Sequence, residues 1–522
     1  MSLVSGTLLL FVAWLTWRVW KFTLSPLTRP NEPRELPYTI PFIGHAISLF
    51  MNSTAVLTKG WNKLSGDNRQ PYALQAAGTF FYVISHPKHI AELSRNTQNF
   101  SFVEFSVDIV KATGMSPEGI AKTYNLDPDA LDAKVDHFKH PMKDKHFEHL
   151  NRQLHTTQLS PSSQNNNLPS LDQTILSWLQ NHLTIPNLQE YSLVQDDLEV
   201  NFYEFVNTVF IRAGENAFFG PALARNHPDV AHDFRIYDEL HWRDLYLFPP
   251  FLAPELTAIK EKLTEQFKKY LALPKQERDK QNPSWFTPNF ELALDKLEVG
   301  EQDKAVFFLM LYLATNTNTP KLLFWCLAHL LSSPATCLDK IRAEISPAFT
   351  GDELTDPSYL LTPGNCPTFE FFYLEVLRFR SHSVSARVVT ADTVLPAPGS
   401  FLLRKGAKVL IPYRVFHFDE TIFGKDAKFF KPERWESLPA SARGVVRAFG
   451  GGKSICPGRY LAEREVKKAV ALMMRRFDFE VLAEGGPGKW MPKGDDSRPG
   501  VGMMGIEKGG DFKVRVRKRE VV

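Results

Sequence analysis

Cysteine is scarce: there are four in 522 residues, Cys326, Cys337, Cys366 and Cys456, with no CxxC pair and no finger-like spacing among them. That excludes a disulfide-stapled framework and a structural zinc module. It fits a reducing compartment, in which three of the four are ordinary buried thiols. Net charge is also nearly absent, +3 from 61 basic and 58 acidic residues, so no global field draws the chain to nucleic acid. Internal repeats are missing too. With 43% hydrophobic and 23% charged residues the chain is globular, large enough for one extended core or two ordinary ones.

The N-terminus lacks a basic n-region and an A-x-A site, which argues against a cleaved leader. What is there is a charge-free stretch from Leu3 to Trp17, tryptophans at Trp14, Trp17 and Trp20, and the cations Arg18, Lys21 and Arg29 behind it. This pattern predicts a transmembrane anchor over residues 1–22, with its cationic flank and the body of the protein in the cytosol. Pro26, Pro30, Pro33, Pro37 and Pro41 follow. Their spacing argues against a helix and predicts a stiff spacer over 23–45, leaving 46–522 as one folded body.

In that body, residues 72–84 read as two short strands about Gly78, a helix opens at Pro87, and the polar stretch 156–170 reads as a surface loop. Helical patterns fall near 171–182, 190–218, 255–272, 301–332, 336–345, 367–380 and 458–476, and short strands lie between Ser383 and Ile411. The fold class is therefore mainly α with small β-sheets (α+β). The apolar run 306–331 reads as a buried core helix, not a second span. Its centre from Ala314 to Pro320 is polar, and Pro320 should break or kink it where Asn316, Asn318 and Thr319 face one another or a cofactor.

The chemistry concentrates in Phe449 to Ala462, FGGGKSICPGRYLA. Three glycines let the backbone pass close to a flat ligand, Pro457 suits a first helical turn, and a thiolate at Cys456 would feel the positive end of the helix that follows. FGGGKSICPG resembles the FxxGxxxCxG haem-binding signature of the cytochrome P450 family. EVLR at 375–378 and FKPERW at 430–435 are similar to that family's ExxR helix and PERF segment. The resemblance is specific over about 367–480 and architectural before that.

It implies a cytochrome P450-like fold and a haem b whose iron is held by the Cys456 thiolate, with Phe449, Gly450 and Gly458 shaping the loop around it. It implies a buried charge triad of Glu375, Arg378 and Arg434 that locks the loop, and places Arg387 where a haem propionate is met. On the distal helix Asn318-Thr319 stands for the usual acid-alcohol pair. Thr319 would hydrogen-bond oxygen or a proton-delivering water, and neutral Asn318 would orient that water without supplying a proton. This departure resembles the branch of sterol 7α- and 12α-hydroxylases and prostacyclin synthase. Two others concern the propionates: Ser454 replaces the usual basic residue two before the cysteine, with Lys453 or Arg387 as the compensating cation. No WxxxR occurs in 138–155, where Lys143, Lys145, His146 and His149 lie instead.

The implied activity is O2-dependent monooxygenation of a hydrophobic small molecule such as a sterol, terpenoid or other secondary metabolite. A reductase-independent isomerase or dehydratase and a non-catalytic haem-binding protein are the alternatives. Arg443, Arg447, Lys453, Arg459, Arg464, Lys467 and Lys468 gather around the cysteine loop and suit an acidic flavoprotein. The implied partners are thus NADPH-cytochrome P450 reductase, with cytochrome b5 as a further donor, and the endoplasmic reticulum membrane.

Overall fold

In a computed structural model, residues 3–124, 147–162, 165–280, 284–483, 487–498, 500 and 502–520 are described. Helix α1 (Leu3–Val19) runs on through a π-helical turn at Trp20–Leu24 into Ser25–Thr28. The helix thus extends past the expected start of the spacer, because Pro26 falls in the first turn of its last segment, where a missing N–H costs nothing. Ser5–Thr28 is long and apolar enough to cross a membrane by length and composition, and its apolar window is not buried. The end of this helix is tied to the chain that follows, through Trp14 Nε1 donating to the Thr39 carbonyl at 2.7 Å and Lys21 pairing with Glu35 at 2.9 Å.

The strands of the two larger sheets are β1 (Arg34–Glu35), β2 (Tyr72–Ala76), β3 (Thr79–Val83), β4 (Phe100–Ser101), β5 (Glu199–Asn201), β6 (Val384–Val389), β7 (Lys408–Pro412), β8 (Phe477–Val481) and β9 (Lys513–Lys518); Phe349–Thr350 with Glu353–Leu354 and Thr393–Leu395 with Phe401–Leu403 form two small hairpins besides. The larger sheet has the order β1-β2-β3-β7-β6-β4, and β8-β9-β5 form another. The β2–β3 turn passes through Ala77 and Gly78, both at positive φ, as a tight hairpin requires. In the larger sheet β7 runs parallel to β3 and antiparallel to β6, with Val409 opposite Arg387. That pairing fixes Arg387 on a central strand.

The helices that position the site are α2 (Phe147–Leu159), α3 (Asn167–His182), α4 (Phe202–Phe219), α5 (Glu301–Asn316), α6 (Thr319–Ser332), α7 (Pro367–Arg380) and α8 (Arg459–Arg476). Two expectations need correction. The stretch 156–170 is a loop only in part, since α2 runs to Leu159 and α3 begins at Asn167. The helix expected over 190–218 begins at Phe202; Glu199–Asn201 is a strand because Val200 is claimed by Val514 of β9. The helix over 301–332 is broken at Thr317-Asn318, next to Pro320 as its sequence implies.

The core lies where α4, α5, α6, α7 and α8 converge, and Phe324, Trp325, Cys326, Leu327 and Ala328 of α6 are wholly buried. So a run apolar all round is accounted for by packing on every side. Cys326 and Cys366 are buried thiols, Cys337 is half-buried, and none of the four cysteines forms a disulfide.

Candidate functional site

The cysteine loop is held by its own backbone. Gly450 N–H donates to the Arg447 carbonyl, and Cys456 N–H to the Phe449 carbonyl, both at 3.0 Å. Gly450 and Gly452 sit at φ +76° and +65°, where side chains are disfavoured, and a Cβ on Gly452 would also meet Ser94 at 2.9 Å. A Cβ on Gly458 would stand 3.7 Å from Cys456 Sγ and 3.9 Å from Leu159, which shows how closely α2 approaches the sulfur.

Cys456 is exposed by surface area, yet burial pushes its thiol up, while N–H groups of Gly458 and Arg459 and the Arg459 guanidinium pull it down. These two facts agree if the sulfur borders open volume within surrounding protein. Burial outweighs the helix start, so the thiolate expected from helix position alone becomes favoured only when a cation sits against it.

Beside the loop, Arg387 is 6% exposed. It donates to the Ser454 hydroxyl and the Ala386 carbonyl, and no carboxylate pairs with it among the described residues. Burial and the nearby Arg152 guanidinium both push its proton affinity down. A buried cation beside a second cation calls for an anion. Arg152, on α2, was not singled out by sequence because the tryptophan of WxxxR is missing, Glu148 standing four residues before it. The legible signal was helical: Leu150 and Leu154 face the core, and Arg152 rides between them. Lys453 reaches away, to the Thr97 hydroxyl. Lys143, Lys145 and His146 lie outside the described residues, as does the His149 side chain.

Glu375, Arg378 and Arg434 come together. Glu375 Oε1 accepts from Arg378 Nη2 at 2.7 Å, Lys431 N–H at 2.8 Å and Arg434 Nε at 3.0 Å; Oε2 accepts from Arg378 Nε at 2.9 Å and Trp435 Nε1 at 3.0 Å. Arg378 continues to the His417 and Ala427 carbonyls at 2.7 and 2.8 Å. His417 carries the link to the loop, because its Nε2 accepts the Arg447 N–H at 3.0 Å. That acceptor role requires a neutral ring, and burial depresses the His417 pKa to about 3.

On the distal side the structure separates the polar residues that sequence grouped. Asn316 turns to α4: its Nδ2 donates to the Tyr312 carbonyl at 3.1 Å, and a Cβ on Gly214 would meet its Oδ1 at 2.5 Å. Asn318 Oδ1 accepts the Met503 N–H at 2.8 Å, and Thr319 lies beside the Glu465 carboxyl on α8, whose pKa burial raises to about 8. Between Met310 and Thr319, the residues Met310, Leu313, Ala314, Thr315, Asn318 and Thr319 keep accessible surface. Met310, Leu313 and Ala314 recur at three- and four-residue spacing, so they share one face of α5.

Of the basic residues around the loop, Lys467 and Lys468 are unavailable to a partner. They are buried against Glu370 and Asp172, each at 2.5 Å. Arg443, Arg447 and Lys453 are exposed.

The donor set fits a haem: one cysteine sulfur at an open slot, glycines where a plane must pass, and a buried arginine without a counter-anion. The cytochrome P450 family profile matches residues 149–500. Cytochrome P450 monooxygenase poxD of Penicillium oxalicum is 23% identical over 87% of this chain and 88% of its own. Cytochrome P450 monooxygenase nodJ of Hypoxylon pulicicidum is 24% identical over 94% and 90%. The 7-alpha-hydroxycholest-4-en-3-one 12-alpha-hydroxylase of Oryctolagus cuniculus is 26% identical over 99% and 98%.

Proposed function

The chain belongs to the cytochrome P450 family and is a haem-binding monooxygenase, and from that premise we propose that it oxidises an apolar, sterol- or terpenoid-sized substrate with electrons from a reductase. The observation carrying the substrate class is the set of accessible residues on the distal segment, where Met310, Leu313 and Ala314 are apolar and Thr315, Asn318 and Thr319 are neutral. A ligand lying against it meets no charge from these residues, and an apolar ligand loses no hydrogen bonds there. The 7-alpha-hydroxycholest-4-en-3-one 12-alpha-hydroxylase of Oryctolagus cuniculus supports the same class.

Cys456 would hold the iron, with Phe449, Gly450 and Gly458 shaping the loop, and Arg387 and Arg152 would meet the propionates. Bound there, the haem supplies O2 activation and transfer of one oxygen atom into a C–H bond. The protein's part is positional and protonic. Gly458 and Arg459 N–H groups stabilise the sulfur anion, and the triad fixes the loop through His417. Asn318, oriented by the Met503 N–H, would place its amide against the reacting face. Thr319, at the start of α6, would hydrogen-bond oxygen or a proton-delivering water.

Ser5–Thr28 would anchor the protein in the endoplasmic reticulum membrane with Arg29 and the body on the cytosolic side. Arg443, Arg447 and Lys453 would receive the acidic face of NADPH-cytochrome P450 reductase, or of cytochrome b5. The test is the reduced, carbon monoxide-bound absorption spectrum of wild type beside Cys456→Ala, then mass analysis of products from a sterol and terpenoid panel. A thiolate-type Soret band that survives Cys456→Ala overturns the ligand. Product formed from a peroxide without NADPH or reductase would replace monooxygenation by isomerase chemistry.

A further inference from the structure

A cavity of about 1180 Å³ meets the cysteine loop at Gly451 and Gly452 and is lined by neither Cys456 nor Arg387, so it is not the haem slot. Its walls come from separate parts of the chain, among them residues 67–70, the first turns of the Pro87–Arg95 helix, the turn at 396–399 and the stretch from Gly444 to Arg447.

Cations outnumber acids on those walls: Arg69, Lys88, Arg95 and Arg447 stand against Asp67 and Asp419. Arg69 is paired with Asp419, and Arg95 with Glu92 at 3.0 Å. Lys88 and Arg447 are exposed and have no carboxylate partner among the described residues. Where the Pro87–Arg95 helix begins, the His86 ring accepts the Lys88 N–H at 3.2 Å through Nδ1, which leaves the proton of the neutral ring on Nε2, as a further donor.

The sharper feature is at Gly451. Its φ of −167° is extended backbone that any residue adopts, so the backbone does not call for glycine there. A Cβ at that position would stand 3.6 Å from Arg447 Nη1 and 3.7 Å from the Tyr413 hydroxyl. The missing side chain thus leaves free the point on which a guanidinium and a phenol converge. Tyr413 is 3% exposed and lines the cavity, and its hydroxyl makes no hydrogen bond among the described residues. A buried hydroxyl without a partner calls for one. Lys88 and Arg447 can only donate and the phenol donates as well, a set that suits the oxygens of a dianion. Ile90, Phe401 and Phe416 add apolar wall for the body of a molecule larger than phosphate.

We propose that this cavity binds a phosphomonoester, its phosphate held by Lys88, Arg447 and the Tyr413 hydroxyl, and that the bound ligand competes with the reductase for Arg447. The binding needs nothing from the haem-monooxygenase reading; the competition rests on the reductase face assigned above. A phosphomonoester is largely a dianion at neutral pH. Bound there, it cancels the charges of Lys88 and Arg447 and lowers the local field that draws an acidic partner. Free nucleotides and the headgroups of phosphorylated inositol lipids carry the same group. Leu402 N–H donates to the Asn31 carbonyl at 2.7 Å, which puts the Phe401 side of the cavity next to the chain leaving the membrane helix, so a lipid source is tested beside a soluble one.

Calorimetry on the full-length haem-loaded protein in detergent, at matched ionic strength, compares inorganic phosphate, AMP and a short-chain phosphatidylinositol 4-phosphate on wild type, Lys88→Glu and Tyr413→Phe. AMP or the inositol lipid should bind at one site more tightly than phosphate, and whichever binds identifies the source. Lys88→Glu should weaken that binding roughly tenfold or more, and Tyr413→Phe about threefold or more. Both variants should keep the wild-type reduced carbon monoxide spectrum; if Tyr413→Phe loses it, Lys88→Glu decides alone. Saturating ligand should raise the KM for reductase several-fold at unchanged kcat in wild type and leave it unmoved in Lys88→Glu. Binding of phosphate alone, of no probe at all, or with an affinity unchanged in either folded variant overturns the site, and binding with an unmoved reductase KM overturns the competition. A reductase KM that rises in Lys88→Glu when no probe binds the wild type assigns the groove to protein contact and removes the proposal. Lack of a thiolate-type carbon monoxide band in a wild type that still binds the ligand is a different result, which sinks the haem reading and leaves the site.

Discussion

Arg387 and Arg152 are two cations drawn together with no carboxylate on Arg387, an arrangement that costs stability until an anion arrives. A charge-assisted hydrogen bond contributes about 1.5–3 kcal/mol. Arg387→Leu should therefore speed loss of haem to apomyoglobin roughly tenfold or more, with a smaller effect from Arg152→Leu because Arg152 is only half-buried. Equal, wild-type loss rates in both variants would remove the propionate assignment. Glu375 stands at the opposite extreme, with Arg378 and Trp435 on one oxygen and three donors on the other. Glu375→Gln leaves two buried guanidinium groups undercompensated and should cost about 3–5 kcal/mol in urea unfolding, a loss typical of a broken buried pair.

At the scale of elements, the cysteine loop hangs from a neutral histidine. The His417 pKa, about 3 folded, lies below its ordinary value near 6.5, so the unfolded chain binds the extra proton first. The stability it contributes is complete above about pH 6.5 and is lost progressively as pH falls toward 3. Thermal melts across that range should show a steeper acid decline in wild type than in His417→Gln, which keeps an acceptor that does not titrate. His382, also pushed down to about 3 by burial, adds to the same slope and is unchanged in the variant. The break between α5 and α6 gives a second test. Pro320→Ala supplies the absent N–H and should slow amide exchange at Thr317 to Lys321; unchanged exchange would mean that Asn318–Met503 and the Lys321–Asp238 pair, at 2.7 Å, hold the break open.

Elements also show what sequence could tell. Glu375 and Arg378 are three apart on α7, and the glycines lie beside Cys456, so local spacing exposes both features. Arg152 and His417 acquire meaning only through residues far along the chain: Arg387 and Arg447. No period in the sequence records such pairings. The 190–218 misreading has the same origin, since Val200 looks helical until Val514 pairs with it. Asn318 and Thr319 are adjacent in sequence, yet Asn318 sits in the break and is held by the Met503 N–H, while Thr319 opens α6.

For the whole molecule, the N-terminal helix and the body are linked by few polar contacts, Trp14 to Thr39 and Lys21 to Glu35 among them. Removing residues 1–28 should move the protein from the membrane to the soluble fraction without changing its reduced carbon monoxide spectrum. Membrane retention after that removal would point to a second attachment. The larger sheet carries a further consequence. Its β2–β3 hairpin, complete by Val83, needs β7, and β7 needs residues up to Pro412; the three-stranded sheet waits longer still, for Lys513–Lys518. On the ribosome β3 and β5 therefore wait for β7 and β9 while some three hundred residues are made, and Arg387 cannot meet Ser454 until the cysteine loop has been made. Cofactor capture in this protein accordingly cannot precede synthesis of that loop.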